Sequence, residues 1–118
     1  MKSEPPPGAI EALVRMRLGA AGTLMLTAVV VFIGPIAEEL MFRGFLLPRL
    51  AAHIGRTWAL WGSATLFASL HFKYGIFVVL ILYGGLVLGW ARLRSGGLTS
   101  PVILHMAING TTMAILFS

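Results

Sequence analysis

The stretch Leu18-Gly-Ala-Ala-Gly-Thr-Leu-Met-Leu-Thr-Ala-Val-Val-Val-Phe-Ile-Gly-Pro-Ile36 contains no charged side chain. At 1.5 Å per residue, a helix of that length reaches about 28 Å, close to the ~30 Å of a bilayer's hydrocarbon core. Three more apolar runs follow: Trp58 to Phe72, Gly75 to Ala91 and Pro101 to Phe117. The first of these is short for a crossing and needs flanking anchors or local thinning of the bilayer. Hydrophobic residues make up 58% of the 118 positions and charged residues 11%, with a mean hydropathy of +0.90. A soluble domain is about one-quarter charged, so this surface cannot be wetted all round. Backbone groups in lipid must be satisfied within the protein, which leaves helices or a closed barrel. Barrel strands alternate polar and apolar residues, and these runs do not. The chain therefore reads as all-α, a polytopic membrane bundle of four to five helices around an interior polar site.

Proline and glycine divide the runs. Gly34-Pro35 interrupts the first, because proline has no amide proton and clashes with the preceding turn. This predicts one helix over about 18–33 and a second from about Pro35 to His53, with Pro35 in its first turn and Pro48 kinking or shortening it. A third helix is predicted over about 57–72, a tight turn at Lys73-Tyr74-Gly75 and a fourth helix over 76–93. Gly85 and Gly89 in the fourth let another helix approach closely. Ser95-Gly-Gly97 is a loop, and Thr99 or Ser100 caps a fifth helix with Pro101 at its first position. The start, Met1-Lys-Ser-Glu-Pro-Pro-Pro-Gly8, is polar and proline-rich and lacks the ordered regions of a signal peptide. Residues 1–17 read as a lead-in, with Ala9 to Leu18 able to lie along the interface, and 18–118 as the membrane core.

The formal charge of +5 does not indicate a nucleic-acid partner. Lysines and arginines stand singly at positions 2, 15, 17, 43, 49, 56, 73, 92 and 94, mostly at the ends of apolar runs. There they reach lipid phosphates, so the expected partner is the bilayer. Basic residues border successive connections almost equally, so no orientation follows. With no cysteine, disulfides and thiolate chemistry are absent. The expected location is a membrane crossed several times, plasma or inner membrane in a prokaryote.

Against this background three polar insertions stand out. Glu38-Glu39-Leu40-Met41-Phe42-Arg43 places three ionisable groups in apolar surroundings. Each costs about 2.5–3.5 kcal/mol at mid-bilayer, a sum comparable with a domain's whole stability. Glu39 and Arg43 are four apart and can pair on one helical face. Glu38 is turned about 100° away and has no cation at helical spacing. The second insertion is His71, with Phe67 one turn before it. The third is His105-Met-Ala-Ile-Asn109, whose two polar side chains share a face. Taken singly, these are an ion pair, an interfacial histidine and hydrogen-bonding glue between helices. Together they supply a carboxylate and histidine able to deprotonate water, and a histidine and amide able to donate to an oxyanion. His53 and Glu11 fall outside the three sets and read as surface residues.

The three sets, in this order, resemble the motifs of the CAAX protease and bacteriocin-processing family (CPBP or Abi), which includes the type II CAAX prenyl endopeptidases. That pattern is EExxxR, then FxxxH, then HxxxN or HxxxD, each on a membrane helix. Pro35-Ile-Ala before the glutamates, Gly44 and Phe45 after the arginine, and Leu98-Thr-Ser-Pro101 are similar too. The likeness spans about residues 30–117. It implies an intramembrane endopeptidase in which Glu38 activates water, assisted by His71, while His105 and Asn109 form the oxyanion hole. Glu39, Arg43 and Phe67 would support the site. The implied partner is a peptide or protein substrate, prenylated or otherwise membrane-associated, with no cofactor. Family members usually have several more membrane helices than this chain. Two other readings stand beside this one. A zinc metalloprotease could use the same histidines and glutamate, although no HExxH pair is present. A non-catalytic membrane protein, such as a bacteriocin-immunity or scaffold protein, could retain the helices.

Overall fold

A computed structural model describes residues 18–118, and every regular element among them is helical. The polar lead-in at 1–17 lies outside the described residues. In chain order the helices are α1 (Ala20–Ile54), α2 (Arg56–Ser69), α3 (Val78–Ser95) and α4 (Thr99–Leu116). A 3₁₀ segment, Phe72–Phe77, joins α2 to α3. Gly55 turns α1 into α2 in a single residue at φ +83°, a backbone state that a side chain would strain. Ala20–Ile54 and Phe72–Ser95 are long and apolar enough to cross a membrane. The α2 helix, with 14 residues, reaches only about 21 Å.

The expected break at Gly34-Pro35 is absent, and the predicted helices over 18–33 and 35–53 are one rod. The proline is accommodated by widening the turn. Ala28–Ile33 and Leu40–Leu46 are π-helical, each immediately preceding a helical segment that carries a proline near its start. The Gly34 amide donates five residues back to Val29, and the Leu47 amide five back to Phe42. A wider turn removes the proline ring from the carbonyl it would otherwise strike, so the rod continues. In that register Pro35 and Pro48 face the carbonyls of Val30 and Arg43 with no N–H to offer. Two backbone acceptors are left open in the middle of α1.

At the other predicted boundary, α4 starts at Thr99 with Leu98 in the cap position and no side-chain cap. Pro101 is therefore its third residue, not its first. The missing amide is harmless there, since the first four N–H groups of a helix have no partner within it.

Helices α2 and α3 pack closely where the sequence is smallest. A Cβ on Gly85 would lie 3.3 Å from the Ala64 Cα, and one on Gly89 would lie 2.5 Å from Leu60 Cδ1. Helix α4 lies against residues 28–39 of α1 and against α3. The interior holds Leu47, Ala59, Ala64, Phe67, Ala68 and Leu88, and Glu39 and Arg43 are as fully buried as Leu47. The outer surface carries Leu24, Trp58, Ile76, Leu80 and Tyr83. Charge inside and large apolar groups outside reverse the usual arrangement of a water-soluble domain.

Candidate active site

The centre is Glu39. Its Oε1 accepts from Arg43 Nη1 at 2.8 Å and from His105 Nδ1 at 2.7 Å. The four-residue spacing on α1 makes the first contact, and the packing of α4 on α1 makes the second. Arg43 also donates from Nη2 to the Gly85 carbonyl at 3.0 Å, and its guanidinium lies 4.6 Å from the Phe67 ring centroid. Glu39 and Arg43 have no exposed surface. A buried ion pair survives desolvation when further hydrogen bonds support it; His105 and Gly85 supply two, while Glu39 Oε2 and Arg43 Nε have no hydrogen-bond partner among the described residues.

A carboxylate can only accept, so His105 Nδ1 donates to Glu39. Its Nε2 then points to the other side, 3.8 Å from Glu38 Oε2. The two adjacent glutamates thus differ sharply. The Glu38 side chain is 36% exposed and the Glu39 side chain 0%.

His71 sits in the turn that ends α2. Its Nδ1 lies 2.7 Å from the Phe67 carbonyl, which can only accept, so this nitrogen donates and Nε2 faces away from it. Phe67 touches both imidazoles, with ring centroids 4.9 Å from His71 and 5.9 Å from His105. No hydrogen bond joins His71 to Glu38, His105 or Asn109 among the described residues. Asn109 lies one turn beyond His105, and its Nδ2 donates to the Val30 carbonyl at 2.9 Å. That is the acceptor left open by Pro35. The Arg43 carbonyl, left open by Pro48, accepts from Arg92 Nε at 3.1 Å.

Glu38, Glu39, Arg43, His105 and Phe67 thus form one contact network. His71 joins it through Phe67, and Asn109 is tied to α1 one helical turn further along α4. Sequence reasoning missed Val30, read Arg92 only as one of the basic residues reaching lipid phosphates, and read Gly85 only as a packing residue. Val30 and Gly85 act through backbone carbonyls, which leave no mark in residue identity. The one available signal was a proline five positions after each open carbonyl. Among the described residues, no three histidine, aspartate or glutamate side chains converge closely enough to hold a metal ion.

Two shallow apolar grooves lie elsewhere. One is lined by Leu40, Met41, Phe42, Phe45 and Leu46, and the other includes Leu50, Ile54, Trp58 and Trp61. Neither is lined by Glu38, His71, His105 or Asn109.

Comparison with known proteins bears on this geometry. Residues 20–111 match the family described as Type II CAAX prenyl endopeptidase Rce1-like, a span that includes all three polar insertions. A similar protein from Escherichia coli, described as an uncharacterized 24.3 kDa protein, is 37% identical over 101 residues, covering 80% of this chain. The match covers 45% of that relative's length. No solved structure matches the chain. With the family model spanning α1 to α3 and most of α4, the chain belongs to the Rce1-like family of type II CAAX prenyl endopeptidases.

Proposed function

We propose that residues 18–118 form the core of a multi-pass membrane endopeptidase that hydrolyses a peptide bond with water activated by Glu38. The observation that carries this reading is the pinned His105, its Nδ1 on buried Glu39 and its Nε2 facing the half-exposed Glu38. Glu38 takes a proton from water while the water oxygen bonds to the scissile carbonyl carbon. The His71 Nε2 lone pair assists in orienting that water. His105 and Asn109 donate to the oxyanion that forms. Glu38 then returns the proton to the leaving amine as the C–N bond breaks. For Nε2 of His105 to donate, its ring must carry both protons. Arg43, Glu39, His105 and Glu38 then sum to zero charge. The sum stays zero when Glu38 becomes neutral and the oxyanion appears, so these four groups and the oxyanion together acquire no charge in the reaction. The substrate class is a peptide or protein at the bilayer, and a prenylated C-terminus fits the family.

Hydrolysis of fluorogenic peptides, with and without a prenylated cysteine, by the protein reconstituted in vesicles tests the proposal. Glu38→Gln keeps size and polarity but removes the base, and turnover should fall by a factor on the order of 10²–10⁴. Retained turnover in that variant would sink the reading. One observation favours zinc as a second reading. Both imidazoles have Nδ1 engaged by an oxygen, as metal-binding histidines commonly do. Stoichiometric zinc in active protein, with activity lost and regained as the metal is removed and returned, would establish that alternative.

A further inference from the structure

Asn109 is held through the Val30 carbonyl, and that carbonyl is open for a definite reason. In a regular α-helix it would take the amide of residue 34, and in a π turn that of residue 35. Gly34 donates instead to Val29, and residue 35 is proline, with no proton to give. Neither helical register leaves a backbone donor for Val30, and the Asn109 amide takes the place. The assignment of the amide is unambiguous, because a carbonyl can only accept and only Nδ2 can face it.

We infer that Pro35 is a positioning residue for hydrolysis: by withholding an N–H it leaves the Val30 carbonyl to aim the Asn109 amide. The inference rests on the peptidase reading and extends it. An amide group is planar, so fixing one N–H of Nδ2 also fixes the direction of the other, about 120° away. That second N–H is the one free for an oxyanion. His105, one turn earlier on the same face of α4, is held in the same way, from behind and by α1, through Glu39 Oε1. Both donors are thus held by α1, His105 through Glu39 and Asn109 through Val30. Donors held in place before the reaction act on an oxyanion without reorganising.

Asn109 is the only asparagine in the chain, and there is no glutamine. A ¹⁵N-labelled sample therefore shows one side-chain amide pair, and that pair reports this contact alone. In the unmutated protein, reconstituted in nanodiscs, one proton of the pair should exchange slowly and resonate apart from its twin. Pro35→Ala supplies an N–H that competes for the Val30 carbonyl. The pair should then move to free-amide values, and kcat should fall between about tenfold and a hundredfold with KM unchanged. Pro35→Gly supplies the same N–H and should act alike, which covers the case where one variant fails to fold. Pro48→Ala removes a proline from the other π turn and should leave the Asn109 pair in place. A pair with free-amide behaviour in the unmutated protein overturns the anchor. An anchored pair with kcat per folded molecule unchanged after the pair has been released overturns the positioning role and leaves the contact as glue. Absence of peptidase activity in the unmutated protein overturns the reading on which the inference rests, and the amide pair still reports the anchor separately.

Discussion

Arg43 has no exposed surface, yet it answers to four neighbours: Glu39, the Gly85 carbonyl and the rings of Phe42 and Phe67. Removing it leaves Glu39 as a buried charge balanced only by His105. Breaking a buried pair from one side costs about 3–5 kcal/mol. Arg43→Ala should therefore lower the unfolding midpoint and folded yield in detergent before it lowers turnover per folded molecule. Arg43→Lys should fall between, since one ammonium does not reproduce a fork that reaches a carboxylate and a carbonyl together. Full stability with abolished turnover would place Arg43 in the chemistry instead. The pairing of Glu39 with Arg43 was legible from four-residue spacing. Which glutamate is buried was less so, because adjacent positions differ only by a rotation whose consequence depends on where α4 lies. The Glu39–His105 contact joins residues 66 apart in sequence, and no local pattern announces it.

In α1 the two π turns decide more than the helix path. Each leaves a carbonyl facing a proline, and each carbonyl is met by a side chain from a later helix, Asn109 for Val30 and Arg92 for Arg43. A hydrogen bond from a charged donor contributes about 1.5–3 kcal/mol, so Arg92→Ala should destabilise by that order. In a Pro48→Ala background the restored amide of residue 48 can reach the same carbonyl, and the Arg92 substitution should cost less. Denaturant unfolding of the four proteins in this cycle measures the coupling, expected at about 0.5–3 kcal/mol. Additive effects would mean that Arg92 holds something other than the open carbonyl. Helix content and the later boundaries were readable to within a few residues from apolar runs and from Gly55 and Gly75. The break at Gly34-Pro35 was misread because proline's effect depends on register. It interrupts an α turn, but a π turn accommodates its ring.

Taken whole, the described residues bury the Glu39–Arg43 pair and show leucine, isoleucine and aromatic side chains outside. On α3 this face includes Leu80 and Tyr83, and Ser95 stands exposed at its end. Because the chain has no cysteine, single cysteines placed there react without background. In intact vesicles Leu80→Cys and Tyr83→Cys should resist a water-soluble maleimide, while Ser95→Cys should react. All three should react once the protein is denatured. Prompt labelling at 80 and 83 in vesicles would take that face out of the bilayer. The membrane character was legible from composition alone, whereas the helix interfaces were not, since they depend on small residues such as Gly85 meeting Ala64 across 21 positions of chain. The open carbonyls of α1 also bear on how the protein is made. During synthesis α1 emerges before α2, α3 and α4, while Gly85, Arg92, His105 and Asn109 are still to come. Until they arrive, α1 holds carbonyls and a carboxylate that hydrocarbon penalises by several kcal/mol each. A chain arrested before α4 therefore keeps the Val30 carbonyl without Asn109 and the Glu39 carboxylate without His105, and α1 stays polar at its centre.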